Sequence, residues 1–278
     1  MDQPPADDDR LADIGFDSLA YAELATVLHE GVGVDLLDAG MAEIATVREL
    51  RAMVDAAAAH PGASGGRFPE ALGTAQRRVK RALAGLFRSW FDLTVVGAEH
   101  VPVTGPAVLC MNHESGLDIP AGVVSCPRPI TFMAKRELFR RPAQARVFRR
   151  WGAFPVDRDL FDLRAVEVGL DVVRRGEVLG MYPEGTRTPG TLLPFLPGAP
   201  WIALKTGAPL VPCAIAGTEL ALPRGRRIPK RAPIRVTFVE PIVVEPVDDP
   251  VKRRAESEGL AAELREAIRP LLSYRSPL

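Results

Sequence analysis

The chain has 278 residues, 47% of them apolar, 25% charged and 6% aromatic, with a formal net charge of zero; this is too apolar for a disordered chain and too irregular for a fibre or solenoid. Three scattered cysteines (Cys110, Cys126 and Cys213) provide neither a disulfide framework nor metal-ligand spacing. No apolar run of 18 residues offers a conventional membrane-spanning helix, and the acidic opening MDQPPADDDR lacks the basic start of a secretory signal.

The zero net charge conceals a division. Residues 1–60 hold thirteen Asp/Glu and three Arg, a balance of −10, and the rest of the chain carries the compensating +10. Two segments of opposite sign predict two modules with different partners. Residues 60–67, HPGASGGR, have linker composition, so the expected organisation is 1–60, a linker at 61–69, and a domain over 70–278.

In the acidic module, periodicity predicts a helix over 18–30. Leu19, Ala22 and Val27 lie on its apolar side, Leu24 flanks them, and Ser18 is the N-cap. A second helix over 46–59 opens with Thr46 and Glu49, a capping box. Gly15-Phe16-Asp17-Ser18-Leu19, the helix behind it and the closing Thr46-Val47-Arg48-Glu49-Leu50 resemble an acyl carrier protein. The resemblance implies that Ser18 carries 4'-phosphopantetheine, attached by a phosphopantetheinyl transferase. A serine at a helix N-terminus suits a phosphodiester, whose charge meets the positive end of the dipole. The family's first long helix would precede the motif, where only residues 1–17 stand. The implied carrier therefore lacks most of that helix, or its start lies upstream.

Beyond the linker, a basic amphipathic helix is expected over 70–91. With Val79 at zero, Leu72, Leu83, Leu86 and Trp90 fall within about 40 degrees of it, while Arg77, Arg81 and Arg88 point the opposite way. Such a stripe either packs on the domain or lies in a membrane interface, and both hold if part of it stays uncovered.

Strands then fit 93–96, 107–111, 130–133, 178–182, 210–215 and 234–239, with helices over 160–174, 200–206 and 251–272. This alternation predicts an α/β fold: a mixed, largely parallel sheet flanked by helices, preceded by the small all-α carrier-like segment. Polar residues that end strands are the first place to look for chemistry. Asn112-His113-Glu114-Ser115-Gly116-Leu117-Asp118 follows one apolar strand. His113 is a candidate general base and Asp118 a group to orient it. On a continuous helix five residues would separate the two by about 140 degrees, so a turn is required, and Gly116 allows one. Tyr182-Pro183-Glu184-Gly185-Thr186-Arg187-Thr188 follows another strand; Gly185 admits a close backbone approach and Arg187 suits a phosphate.

With Gly152-Ala-Phe-Pro-Val-Asp-Arg158 and Pro209-Leu-Val-Pro-Cys-Ala-Ile215, these blocks resemble, in order and spacing, the glycerolipid acyltransferases, the lysophosphatidate acyltransferases in particular. Lys135-Arg136-Glu137-Leu138-Phe139 also matches the family between its first two blocks, whereas Phe195-Leu196-Pro197-Gly198 lacks its basic residues. The resemblance implies that His113 deprotonates the free hydroxyl of a lysophospholipid, with Asp118 in support. Arg158, Glu184, Gly185, Thr186 and Arg187 hold the glycerophosphate end. The donor is acyl-CoA or acyl carrier protein, no metal takes part, and no covalent acyl-enzyme is needed. The expected place is the inner face of the cell membrane, held peripherally from the cytoplasm through helix 70–91. A different lysolipid or glycolipid acceptor keeps the same mechanism. Other readings are a carrier or lipid-binding subunit with little catalysis, or a thioesterase, which would leave Arg158 and Arg187 without a task. Arg224-Gly-Arg-Arg-Ile-Pro-Lys-Arg231 is a basic run without interleaved aromatics, so nucleic acid is a poor partner.

Overall fold

The computed structural model describes residues 5–11, 13–14, 16, 18–32, 44–58, 73–156, 163–188 and 190–272. They divide into two compact units, residues 1–68 with 156–168, and residues 69–155 with 169–278.

The first unit contains helices α1 (Ser18–Val32) and α2 (Val47–Ala58). Both expected helices are present, and the capping box at α2 is formed. Glu49 N–H donates to Thr46 Oγ1 at 3.4 Å, and Glu49 Oε2 accepts the N–H groups of Thr46 and Ala45 at 3.0 and 2.7 Å. These donors stabilise the ionised carboxylate and lower its pKa. The described residues ahead of α1 are not helical. They run as turns whose carbonyls, those of Asp7 and Asp9, accept the N–H groups of Arg48 and Val47. Leu11, Val47 and Met53 are buried, whereas Val27, expected on the apolar side of α1, is 52% exposed.

The second unit is built on a seven-stranded sheet. Its strands are β1 (Thr94–Val96), β2 (Ala107–Met111), β3 (Ile130–Lys135), β4 (Ala153–Val156), β5 (Val178–Met181), β6 (Leu210–Ala216) and β7 (Arg235–Phe238), in the order β1-β7-β6-β2-β5-β3-β4. Pairing is parallel for β1–β7, β6–β2, β2–β5 and β5–β3, and antiparallel for β6–β7. Every residue of β2 is buried, as is expected of a parallel strand covered on both faces.

The helices are α3 (Gly73–Trp90), α4 (Asp118–Ser125), α5 (Pro142–Arg150), α6 (Leu163–Arg174), which belongs to this unit from residue 169 on, α7 (Gly198–Thr206), α8 (Thr218–Ala221) and α9 (Pro250–Leu272). Side chains alternate between the two faces of each strand. Leu109, Met111, Val178, Cys213 and Ile215 share one core cluster with Phe87 of α3, the adjoining Phe91, and Ala121 and Val123 of α4. Gly169 of α6 lies against Leu179 and Met133 on the other face, together with Ile202 of α7, which packs on α9.

The strand at 153–156 and the helices α4, α5 and α8 were not expected. β4 contains Pro155, which breaks a central strand but is tolerated in the last position of the sheet order. α4 reads DIPAGVVS, eight residues with Pro, Gly and two valines, and its helicity comes from packing rather than propensity. α8 is a single turn.

The apolar stripe of α3 divides. Phe87 and the adjoining Phe91 are buried, and Leu83 and Ala84 pack against the core. Leu86 and Trp90 remain 49% and 48% exposed. The core face is thus turned away from the expected stripe, and Lys80 lies on it: half-buried, its ammonium donates to the Cys126 carbonyl, and burial lowers its pKa. Leu72 lies outside the described residues, as does the side chain of Val79. No helix among the described residues is long and apolar enough to cross a membrane.

Candidate active site

Because β5 and β6 flank β2 and both pair with it in parallel, the C-terminal ends of the three come together. The segments that follow them, 112–118, 182–188 and 217–222, meet there, where open α/β sheets bind ligands.

Asn112 joins β2 to β6 at this end. Its side-chain amide donates to the Ile215 carbonyl at 2.9 Å and accepts the Ile215 N–H at 2.7 Å. The amide continues the β2–β6 ladder by one rung after the backbone of β2 has turned away. The turn then brings His113 to Asp118: the Nδ1···Oδ2 distance is 2.8 Å, both side chains are buried, and Asp118 has no exposed surface. An ionised carboxylate only accepts, so Nδ1 carries the proton and Nε2 is the basic nitrogen. The His113 ring also packs on Tyr182, with centroids 4.3 Å apart.

The turn itself is held by Asp118. Its Oδ2 also accepts the N–H groups of Glu114 at 2.7 Å and Ser115 at 2.8 Å, and its own N–H returns to the Ser115 carbonyl. Gly116, expected to permit the turn, has no positive φ, and a Cβ there would meet only ordinary contacts with Arg187 Nη1 and Leu222 Cδ2. The bend depends on the aspartate, not on glycine freedom. Ser115 Oγ donates to the Leu222 carbonyl at 3.0 Å, so it shapes the wall rather than facing a substrate.

The second block locks onto the first. Glu184 is buried; its Oε1 accepts the His113 N–H at 2.7 Å, and its Oε2 accepts the Thr188 hydroxyl and the Leu193 N–H. Thr188 N–H donates to the His113 carbonyl at 2.9 Å. Gly185 has φ +68, which favours glycine, and a Cβ there would lie 3.0 Å from Leu196 Cδ1. Thr186 and Arg187 are exposed at the rim, with the Arg187 guanidinium beside Gly116 of the 112–118 turn. The structure therefore brings together His113, Asp118, Glu184, Gly185, Thr186 and Arg187. Arg158 lies outside the described residues, and so does the side chain of Ser18, although Ser18 is the first residue of α1.

Two groups here were not singled out from the sequence. Thr218, fully buried at the start of α8, donates to Asp118 Oδ1 at 2.5 Å. Glu114, partly buried, accepts the Gly190 N–H at 3.3 Å. Desolvation, aided by the charges of Glu219, Asp118 and Glu184, pushes its carboxyl up to about 7 against the opposing Gly190 hydrogen bond. Thr218 ends strand β6 as His113 ends β2, so the rule that found His113 would have found it too. Cys110, Cys126 and Cys213 are free thiols buried away from water, which raises all three pKa values, that of Cys126 to about 11.

A family model described as Acyltransferase matches residues 92–216, and one described as Phosphopantetheine attachment site matches residues 1–54. The chain is 32% identical over 149 residues to the 1-acyl-sn-glycerol-3-phosphate acyltransferase of Bacillus subtilis, covering 53% of this chain and 72% of that protein. It is 32% identical over 160 residues to a chloroplastic protein of the same description from Brassica napus, covering 55% of this chain and 46%, about half, of the plant protein. The crystal structure of the 1-acyl-sn-glycerophosphate acyltransferase of Thermotoga maritima superposes with a TM-score of 0.58 at 22% identity, covering 94% of this chain and 97% of that one, a likeness of fold.

Proposed function

Because the chain belongs to the family of 1-acyl-sn-glycerol-3-phosphate acyltransferases, we propose that it moves a fatty acyl group from a thioester donor to the free hydroxyl of a lysophospholipid. The acceptor is 1-acylglycerol-3-phosphate and the product phosphatidate. The observation that carries this reading is the buried His113–Asp118 pair, which leaves Nε2 as a base in a turn whose Gly116 lies beside the Arg187 guanidinium.

His113 Nε2 takes the hydroxyl proton while Asp118 stabilises the imidazolium. The alkoxide oxygen bonds to the thioester carbonyl carbon, the C–S bond breaks, and the departing thiolate recovers the proton from His113. Buried thiols of raised pKa are poor nucleophiles, so direct transfer is favoured over an acyl-cysteine. Arg187 and Arg158 hold the phosphate, with Thr186 and the Gly185 backbone beside them. Glu184, occupied by three protein donors, serves the same end by fixing the loop.

The domain assignment we favour is a carrier-like segment over 1–60, a linker at 61–69 and an acyltransferase domain over 70–278. The phosphopantetheine attachment-site match and the place of Ser18 at the start of α1 support Ser18 as the attachment point. When attached, the arm supplies an acyl thioester, so a carrier or acyl-CoA is the donor. The exposed Leu86 and Trp90 with the arginines of α3 support a peripheral site at the inner face of the cell membrane.

The test is acyl transfer by purified full-length chain, wild type beside His113→Ala, with labelled acyl-CoA or acyl carrier protein and a panel of lysolipids. Transfer to lysophosphatidate that falls by about 10²–10⁴ in the variant supports the reading. Transfer only to another acceptor changes the substrate, and no transfer with any donor overturns the reading. Intact mass after incubation with a phosphopantetheinyl transferase and CoA reads Ser18, with Ser18→Ala as the control.

A further inference from the structure

We propose that Thr218 is a positioning residue for the His113–Asp118 pair, the outer member of a His–Asp–Thr chain; this rests on the catalytic reading of His113. Asp118 is fully buried, and its two oxygens are used differently. Oδ2 accepts the His113 ring and the N–H groups of Glu114 and Ser115. On Oδ1 the structure places the Thr218 hydroxyl, at 2.5 Å. The hydroxyl has one proton, and the ionised carboxylate is an acceptor only, so the direction of this bond is fixed. A charge-assisted bond inside a buried site is among the stronger ones a hydroxyl forms.

Thr218 is itself placed by features that have no other evident task. Gly217, just before it, has φ +90, and a Cβ there would lie 2.1 Å from the Pro233 carbonyl oxygen, so only glycine fits between β6 and the strand-leading segment of β7. Thr218 opens the single turn α8, and its carbonyl accepts the Leu222 N–H, which sets Leu222 to receive the Ser115 hydroxyl. With the Asn112–Ile215 pair below, the segment 215–222 grips the 112–118 turn at three successive points: Asn112, Asp118 and Ser115. A short turn of this kind, whose one buried hydroxyl is aimed at the back of a catalytic carboxylate, fixes the plane of Asp118 and through it the ring of His113.

The hydroxyl also disperses the charge on Asp118. Without it the carboxylate is a stronger base, and the pair retains its proton to higher pH. The charged groups nearby, Glu114 with Glu184 and Glu219 around it, and Arg187 beside Gly116, are unchanged by the substitution.

The experiment compares full-length wild type, Thr218→Val and Thr218→Ser, with acyl-CoA and lysophosphatidate across pH, and follows the His113 imidazole titration by NMR, assigned with His113→Ala. Thr218→Val is expected to lower kcat about tenfold, the effect of losing one charge-assisted hydrogen bond, with KM changed less than about twofold. The acid limb of the rate profile and the His113 titration both move to higher pH, and Thr218→Ser, which keeps the hydroxyl, restores both. An unmoved titration in Thr218→Val, or a serine variant as impaired as the valine one, overturns the proposal. If the valine variant does not fold, Thr218→Ala against Thr218→Ser poses the same contrast. Absence of transfer by wild type would refute the assigned reaction alone, because the NMR titration reads the His–Asp–Thr chain without turnover.

Discussion

The backbone N–H of His113 donates to Glu184 Oε1 at 2.7 Å, although 71 residues separate the two. The contact joins the segment after β2 to the segment after β5, and the return bond from Thr188 N–H to the His113 carbonyl closes a ring at His113. Glu184 therefore acts on the histidine through its main chain, while Asp118 acts through its ring. Neither carboxylate has an oxygen without a protein donor, so the polar groups at the back of the site are internally satisfied. The groups at the rim, Thr186 and Arg187, are left to meet solvent or ligand.

Removing the Glu184 carboxylate should release this ring. Glu184→Ala leaves the N–H groups of His113 and Leu193 without their acceptor, and each buried orphan costs about 1–3 kcal/mol. The expected outcome is a loss of about 3 kcal/mol in urea unfolding and a fall in kcat. A direct contact of Glu184 with the phosphate would instead raise KM for lysophosphatidate without lowering the unfolding midpoint. Steady-state kinetics on the folded fraction and a urea titration separate the two.

Asn112 makes a sharper case. Asn112→Asp keeps the shape and one acceptor but has no donor for the Ile215 carbonyl, and it places a charge in a site with no exposed surface. Asn112→Asp is expected to destabilise more than Asn112→Ala, which should cost about 2–4 kcal/mol for the exposed ends of the Ile215 peptide. Equal midpoints for the two variants in thermal unfolding would show that the amide is not needed for its hydrogen bonds.

The sequence made the strand ends legible because short continuous apolar runs and the polar residues that stop them are local signals. The apolar run 107–111 bounds β2 to the residue, and His113 lies two residues beyond its end. What was not legible depends on distant partners. The 113–118 turn was attributed to Gly116, whereas the bend follows from Asp118 accepting two backbone donors, and no spacing rule reveals that. The apolar stripe of α3 was found, but not which part the core would cover, since that depends on where α4 and Cys126 lie. The resemblance groups Glu184 with the phosphate ligands; the 71-residue link to His113 is visible only in the fold.

The uncovered part of α3 can be tested apart from folding. Leu86 and Trp90 are about half exposed and contribute little to the core, so Leu86→Ser with Trp90→Ser should leave the melting temperature within about 2 °C of wild type. Binding to anionic phospholipid vesicles should weaken by at least about tenfold, since two large apolar side chains no longer enter the interface. Sedimentation with vesicles of phosphatidylglycerol and phosphatidylcholine reads this. Unchanged binding would place membrane attachment elsewhere on the chain.

Glu114 makes stability depend on pH in a direction that can be worked out. Burial and the surrounding carboxylates raise its folded pKa to about 7, above the ordinary value of 4.5 that the unfolded chain shows. Between those values the folded state binds more protons, so the contribution of this residue to stability is intact below about pH 4.5 and is lost as pH rises through about 7. Glu114→Gln has no charge to desolvate and retains an amide oxygen to accept the Gly190 N–H. The variant should match wild type near pH 5 and exceed it at pH 8. The gain is about 1 kcal/mol once solvent screening of this partly exposed group is counted. Urea unfolding at the two pH values measures it. A gain of equal size at both would mean that packing, not charge, sets the effect, and no gain at pH 8 would mean that Glu114 titrates as an ordinary surface carboxyl.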